Sequence, residues 1–118
     1  MNFTLSDIDH IHIQVQDREA AAAWYARVLG LYVIEALAFW AEDGPLTIGN
    51  DQIHLALFTG ARANLNTVAL RVDIDEFEQV KKHLDTCEVE YQYEDHDLSI
   101  SVYLTDPDGN RFEITAYR

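Results

Sequence analysis

The sequence predicts an α+β fold: two successive βαβββ modules that form curved mixed sheets around a cavity. Three observations predict it. A strand–helix–three-strand order occurs twice in 118 residues. The first and last strands of each half alternate between an apolar and a polar face, as a half-buried strand must. The halves also share their spacing, since His10 and His54 stand 44 positions apart and Thr67 and Glu113 stand 46 apart. Residues 1–118 read as a single domain, with internal modules at approximately 6–58 and 66–118 and "TGARANL" as their link.

In the first strand, "IDHIHIQV", residues His10, His12 and Gln14 oppose Ile11, Ile13 and Val15. Asp17 is placed to cap a helix over Arg18–Leu29, Gly30 to stop it, and Trp24 and Val28 to share its buried side. Strand-like segments follow at "LYVIEALAF", weakly at "LTIG", and at "QIHLALF", where Gln52, His54 and Ala56 oppose Ile53, Leu55 and Leu57. The second module starts at "NTVALRV", with Thr67, Ala69 and Arg71 opposing Val68, Leu70 and Val72. Asp73 is read as the next cap, Glu76 as its capping-box partner, and Phe77, Val80 and Leu84 as the apolar stripe of the second helix. "EVEYQY", "SISVYLT" and "RFEITAY" complete the set, and in the last Arg111, Glu113, Thr115 and Tyr117 oppose Phe112, Ile114 and Ala116. Glycine turns, "EDG", "GND" and "DPDGN", separate several of these segments.

Composition narrows the function classes. A chain that is 48% hydrophobic with two prolines can bury a core. Its 21 acidic and eight basic side chains give a net charge of −13, which argues against nucleic acid and anionic membranes as partners. The same charge would attract a cationic ligand, or serve solubility alone. The start lacks a signal-peptide pattern and no run is long enough to span a membrane, so a cytoplasmic protein is expected. The lone Cys87 excludes an intramolecular disulfide and a cysteine-rich zinc site.

The shared polar face holds His10, His54 and Glu113. Two imidazoles and a carboxylate suit Fe(II), Mn, Ni, Co or Zn and leave positions open for substrate. Trp40, Phe39 and Tyr91 can wall such a cavity, and Ser101 and Tyr103 alternate onto the side of Glu113. His12 is a lining residue, an alternative ligand or a proton carrier, and His96 lies in a loop at a strand start. His83 reads as surface, Trp24 and Tyr25 as helix packing, and Asp106–Asn110 as a structural turn.

"IDHIHIQVQDREAAAAWYARVLGL" and "YLTDPDGNRFEI" resemble the opening and closing signatures of the vicinal oxygen chelate superfamily, which includes glyoxalases, bleomycin-resistance proteins and dioxygenases. The resemblance spans almost the whole chain. It implies metal ligands on the first and last strands of the modules: His10 at the first position, Glu113 at the last, and His54 where glyoxalase-like members carry an additional ligand. Thr67 departs from the pattern, because many members have a histidine there. The resemblance implies a homodimer and a small metal-dependent enzyme, a lyase or isomerase acting on a substrate with neighbouring oxygens. Glu113 would be ligand and catalytic residue, and His12, Trp40, Thr67, Arg71, His96, Ser101, Tyr103 and Arg111 would contact the substrate. The incomplete ligand set disfavours glyoxalase I itself. An anionic phosphonate substrate is disfavoured because only Arg71 and Arg111 would meet it. The alternative is a metal-free protein that sequesters a small cationic or aromatic ligand, as in bleomycin resistance.

Overall fold

The computed structural model describes residues 2–63 and 66–118, so Asn64 and Leu65 of the expected link lie outside the described residues. The first module runs β1 (Ile11–Val15), α1 (Arg18–Leu29), β2 (Tyr32–Val33), β3 (Leu46–Gly49) and β4 (His54–Thr59). The second runs β5 (Val68–Arg71), α2 (Phe77–Thr86), β6 (Gln92–Asp95), β7 (Ser99–Thr105) and β8 (Arg111–Tyr117). Each module makes a four-stranded mixed sheet, ordered β1-β4-β3-β2 and β5-β8-β7-β6. The first and last strands of a module pair in parallel, Ile11 with Leu55 and Ala69 with Glu113, and the remaining pairs are antiparallel. The expected duplication is therefore present strand for strand.

Alternation sends the apolar sides of both sheets into one core. Ile13, Val15, Leu55, Leu57, Val102 and Phe112 are almost fully excluded from solvent. Burying each contributes roughly 1.5–3 kcal/mol. In α1 the Asp17 carboxylate accepts from the backbone N–H groups of Glu19 and Ala20, both at 3.1 Å. Gly30 ends the helix at φ 67°, a left-handed conformation that costs glycine nothing. The helix buries Ala21, Ala22, Tyr25 and Val28, so its inner side is mostly small. Tyr25 reaches the second module, where its ring meets Phe112 edge-on with centroids 5.8 Å apart.

The Asp106–Asn110 turn fastens the two modules together. Asp106, 3% exposed, accepts from Tyr25 Oη at 2.6 Å and from Asn110 Nδ2 at 2.8 Å. It also accepts the backbone N–H groups of Asp108 (2.9 Å) and Asn110 (2.8 Å). Asn110 Nδ2 donates to the Gln14 carbonyl at 2.9 Å, and the Gln16 N–H donates to Asp108 at 3.1 Å. Burial and the bond to the Asp106 carboxylate push the Tyr25 phenol far above its ordinary range.

Three local expectations are corrected. "LYVIEALAF" is a strand only at Tyr32–Val33, and Glu35–Glu42 forms a 3₁₀ helix. Its Glu-Ala-Leu-Ala core favours helical over extended backbone, and Arg18 donates to the carbonyls of Ala41 and Gly44 at its end. The Asp73 side chain caps nothing. Its carbonyl accepts the Glu76 N–H in a three-residue 3₁₀ turn, and α2 starts only at Phe77. "EVEYQY" becomes strand only from Gln92, because Glu88 turns the chain at φ 57° and Val89 bonds back to Leu84.

The C-terminus is clamped. Arg118 makes a two-pronged contact with Asp95, at 2.8 and 2.9 Å, and also donates to the Asp97 carbonyl. The guanidinium, aided by the Asp97 N–H, lowers the Asp95 carboxyl to about 2. Because the folded value is depressed, this contribution to stability is complete above the ordinary carboxylate range and is lost as pH falls toward about 2. Arg118→Gln is expected to return Asp95 toward an ordinary carboxylate, read from its side-chain NMR titration. An unmoved titration would assign the effect to the Asp97 N–H alone.

Candidate functional site

The polar faces of the two sheets carry different chemistry. On the first sheet, His12 on β1, Ala56 on β4 and Thr47 on β3 form one row, and His54 pairs with Gly49 in the next. His10 immediately precedes β1 and stays exposed. Its Nδ1 lies 2.7 Å from the Asp9 carboxylate, which can only accept, so Nδ1 carries the proton. That leaves Nε2 of a neutral His10 with a bare lone pair, 3.1 Å from His12 Nε2. The two rings stack with centroids 5.0 Å apart, and His12 also packs on Phe58 at 4.7 Å.

His54 is half-buried and its ring lies toward β3. A Cβ at Gly49 would come within 2.7 Å of His54 Cδ2, so the glycine makes room for the imidazole. β3 lies on the side of β4 opposite β1, so this edge of the ring leans toward β3. His54 also borders a cavity of about 720 Å³ between the modules, together with Asp7, Asp9, Ile11, Asp51 and Ala69.

On the second sheet, Ala69, Glu113, Tyr103 and Gln92 form one row, and Arg71, Thr115, Ser101 and Glu94 the next. Ser101, fully buried, donates its hydroxyl to Glu113 Oε2 at 2.7 Å and lies 3.0 Å from Thr115 Oγ1. His96 Nε2 is 2.9 Å from Tyr103 Oη. Burial, then the charge of Glu113 and a hydrogen bond to it, raise the Tyr103 phenol above its ordinary range. An imidazole, a phenol, a carboxylate and a hydroxyl thus form one connected chain on this face.

The sequence-derived residues fall into separate groups. Ser101, Tyr103, His96 and Glu113 are brought together. His10 and His12 are brought together, while the His54 ring leans over Gly49. Among the described residues, no three-ligand set with donor atoms all within 4.8 Å contains His10, His54 or Glu113; the only such set is the exposed Asp73, Asp75 and Glu76. Thr67 is exposed one residue before β5, and Arg71 and Arg111 are exposed on β5 and β8. Trp40 lies on the 3₁₀ helix, 48% exposed, with its ring 5.4 Å from Phe39. Sequence reasoning missed Asp9, although it adjoins His10, and Gly49, whose role appears only across the strands.

The geometry defines a protein of paired βαβββ modules with imidazoles on one polar sheet face and a carboxylate on the other. A family model described as Glyoxalase/Bleomycin resistance protein/Dioxygenase superfamily matches residues 7–114, and the chain belongs to that superfamily. Among functionally curated proteins, none matches the chain. Among solved structures, a glyoxalase family protein from Bacillus anthracis is similar, with a TM-score of 0.83 at 20% identity and complete coverage of both chains. The lactoylglutathione lyase of Agrobacterium tumefaciens gives 0.75 at 24% identity, covering 95% of this chain and 94% of that one. The fosfomycin resistance protein FosX of Mesorhizobium loti gives 0.74 at 17% identity, covering 98% and 95%. These likenesses establish the fold. Members of the superfamily bind small molecules and often form dimers. No described helix is long and apolar enough to cross a membrane.

Proposed function

We propose that this chain is a small cytoplasmic metal-dependent enzyme of the vicinal oxygen chelate type, a lyase or isomerase acting on a substrate with neighbouring oxygens. One observation carries the reading: superfamily-type donors stand on the open faces of both sheets, imidazoles on the first and Glu113 on the second. The donor set fits a divalent transition metal, because it pairs neutral imidazoles with a carboxylate. His10 and Glu113 anchor the set, and a second imidazole of the first module completes it. Among the described residues no three-donor cluster contains both His10 and Glu113, and in this reading a homodimer joins the first module of one copy to the second module of the other.

A bound metal supplies Lewis-acid polarisation of the substrate oxygens. The protein's own groups supply the rest. Ser101 holds one oxygen of Glu113, leaving the carboxylate oriented and able to take a proton. Tyr103 stays protonated across neutral pH and can donate a hydrogen bond, with His96 behind it to exchange that proton. In this reading Arg71, Arg111, Trp40 and Thr67 serve as substrate contacts.

The test is elemental analysis of purified protein, then titration of chelator-treated protein with Co(II), Ni(II) and Zn(II), beside light scattering. Stoichiometric tight binding by a dimer is expected. A metal-indifferent protein, or a monomer that binds metal fully, sinks the shared-site reading. In the metal-indifferent case sequestration takes over, favoured by a groove of about 1020 Å³ lined by Tyr91, Tyr93, Tyr103, Asp85, Glu88 and Glu90. Such a groove matches a cationic aromatic ligand.

A further inference from the structure

We infer that His10 and His12 act together as a two-imidazole chelate, so that His12, not His54, supplies the second imidazole of the metal set. The inference rests on the proposed metal-dependent reading and specifies its ligands. Three observations lead to it. The two Nε2 atoms face each other at 3.1 Å. Two metal–nitrogen bonds of about 2.0–2.1 Å meeting at somewhat more than a right angle place their nitrogens about 3 Å apart. The pair is therefore already at the separation that neighbouring ligands on one ion require. Second, Asp9 holds the Nδ1 proton of His10, which fixes the tautomer that presents Nε2 as the ligand atom. Third, the His54 ring leans over Gly49 toward β3, and among the described residues no hydrogen bond joins it to His10 as the Nε2 contact joins His12.

Without metal, His12 Nε2–H donates to the bare His10 Nε2. Binding a metal exchanges that hydrogen bond for two coordinate bonds, and His12 shifts its proton to Nδ1. No thiolate is nearby, and an imidazole pair with a carboxylate suits Zn, Ni, Co or Fe(II). The chelate explains how a chain with Thr67 at the usual second-histidine position keeps two imidazoles. They come from one strand, two residues apart, instead of from two modules.

The experiment uses the full chain, freed of metal by chelator, with Co(II) alone as probe. Calorimetry and the visible Co(II) spectrum are recorded for wild type, His10→Ala, His12→Ala and His54→Ala, with thermal melts as fold controls. His10→Ala and His12→Ala are each expected to weaken binding by about 100-fold and to alter the spectrum. His54→Ala should stay within about threefold with the wild-type spectrum. Should His12→Ala fold poorly, imidazole NMR of wild-type protein decides instead: Co(II) should shift the ring protons of His10 and His12 far more than those of His54. Wild-type affinity and spectrum in His12→Ala, or a primary NMR shift at His54 with none at His12, overturns the chelate while leaving the metal-dependent reading intact. A wild-type protein that binds no Co(II) overturns both.

Discussion

Asp106→Ala is expected to lower the unfolding free energy by on the order of 3–5 kcal/mol, read by urea denaturation. Asp106 is 3% exposed and accepts from the Tyr25 hydroxyl, the Asn110 amide and the N–H groups of Asp108 and Asn110. Alanine removes every one of these acceptors at once. The stranded donors are buried or part-buried, so they cannot all turn to water. The loss also loosens the turn whose Asn110 and Asp108 hold β1 through Gln14 and Gln16, so module packing fails with it. Tyr25→Phe is the graded control. It deletes one bond, keeps the ring against Phe112, and should cost about 1–2 kcal/mol. A loss below about 1 kcal/mol for Asp106→Ala would show that this turn is peripheral to stability.

Glu113→Gln is the second large effect. Under the proposed reading it removes the anionic ligand, and divalent-metal affinity should fall by at least about 100-fold. It carries a second signature that needs no metal. Tyr103 is held above its ordinary phenol range by burial first, and then by the Glu113 charge and hydrogen bond. Neutralising Glu113 should move the Tyr103 titration downward, seen by phenolate absorbance or tyrosine NMR. Ser101 can still donate to the amide oxygen of the substituted side chain, so the sheet should survive, as circular dichroism would show. Unchanged metal affinity with a lowered Tyr103 titration would separate the carboxylate's local electrostatics from any ligand role.

Much of the architecture was legible because strand alternation and helix caps are local. Ile11, Ile13 and Val15 against His10, His12 and Gln14 set the faces of β1 before any partner strand is known. Asp17 and Gly30 mark α1 to the residue, since both act on their own helix ends. The segment after α1 was harder to read. "LYVIEALAF" is apolar enough for a strand, and its 3₁₀ form is supported at its far end by carbonyl contacts from Arg18, over 20 positions away.

The sequence by itself determined the duplicated βαβββ plan, the polar sheet faces and the identity of the chemistry-bearing residues, because periodicity and residue type are properties of short segments. Only the tertiary structure decided which of those residues meet. Alternation put His10, His12 and His54 on one kind of face, but the 3.1 Å pairing of His10 with His12 depends on the side-chain rotamers. The lean of His54 toward β3 depends on the missing Cβ at Gly49, a neighbour across the sheet. Likewise Ser101, Tyr103 and Glu113 converge because β7 and β8 lie in a register that pairs Tyr103 with Glu113. Pattern specifies the face on which a side chain stands; pairing register and packing fix the few ångströms within which chemistry occurs.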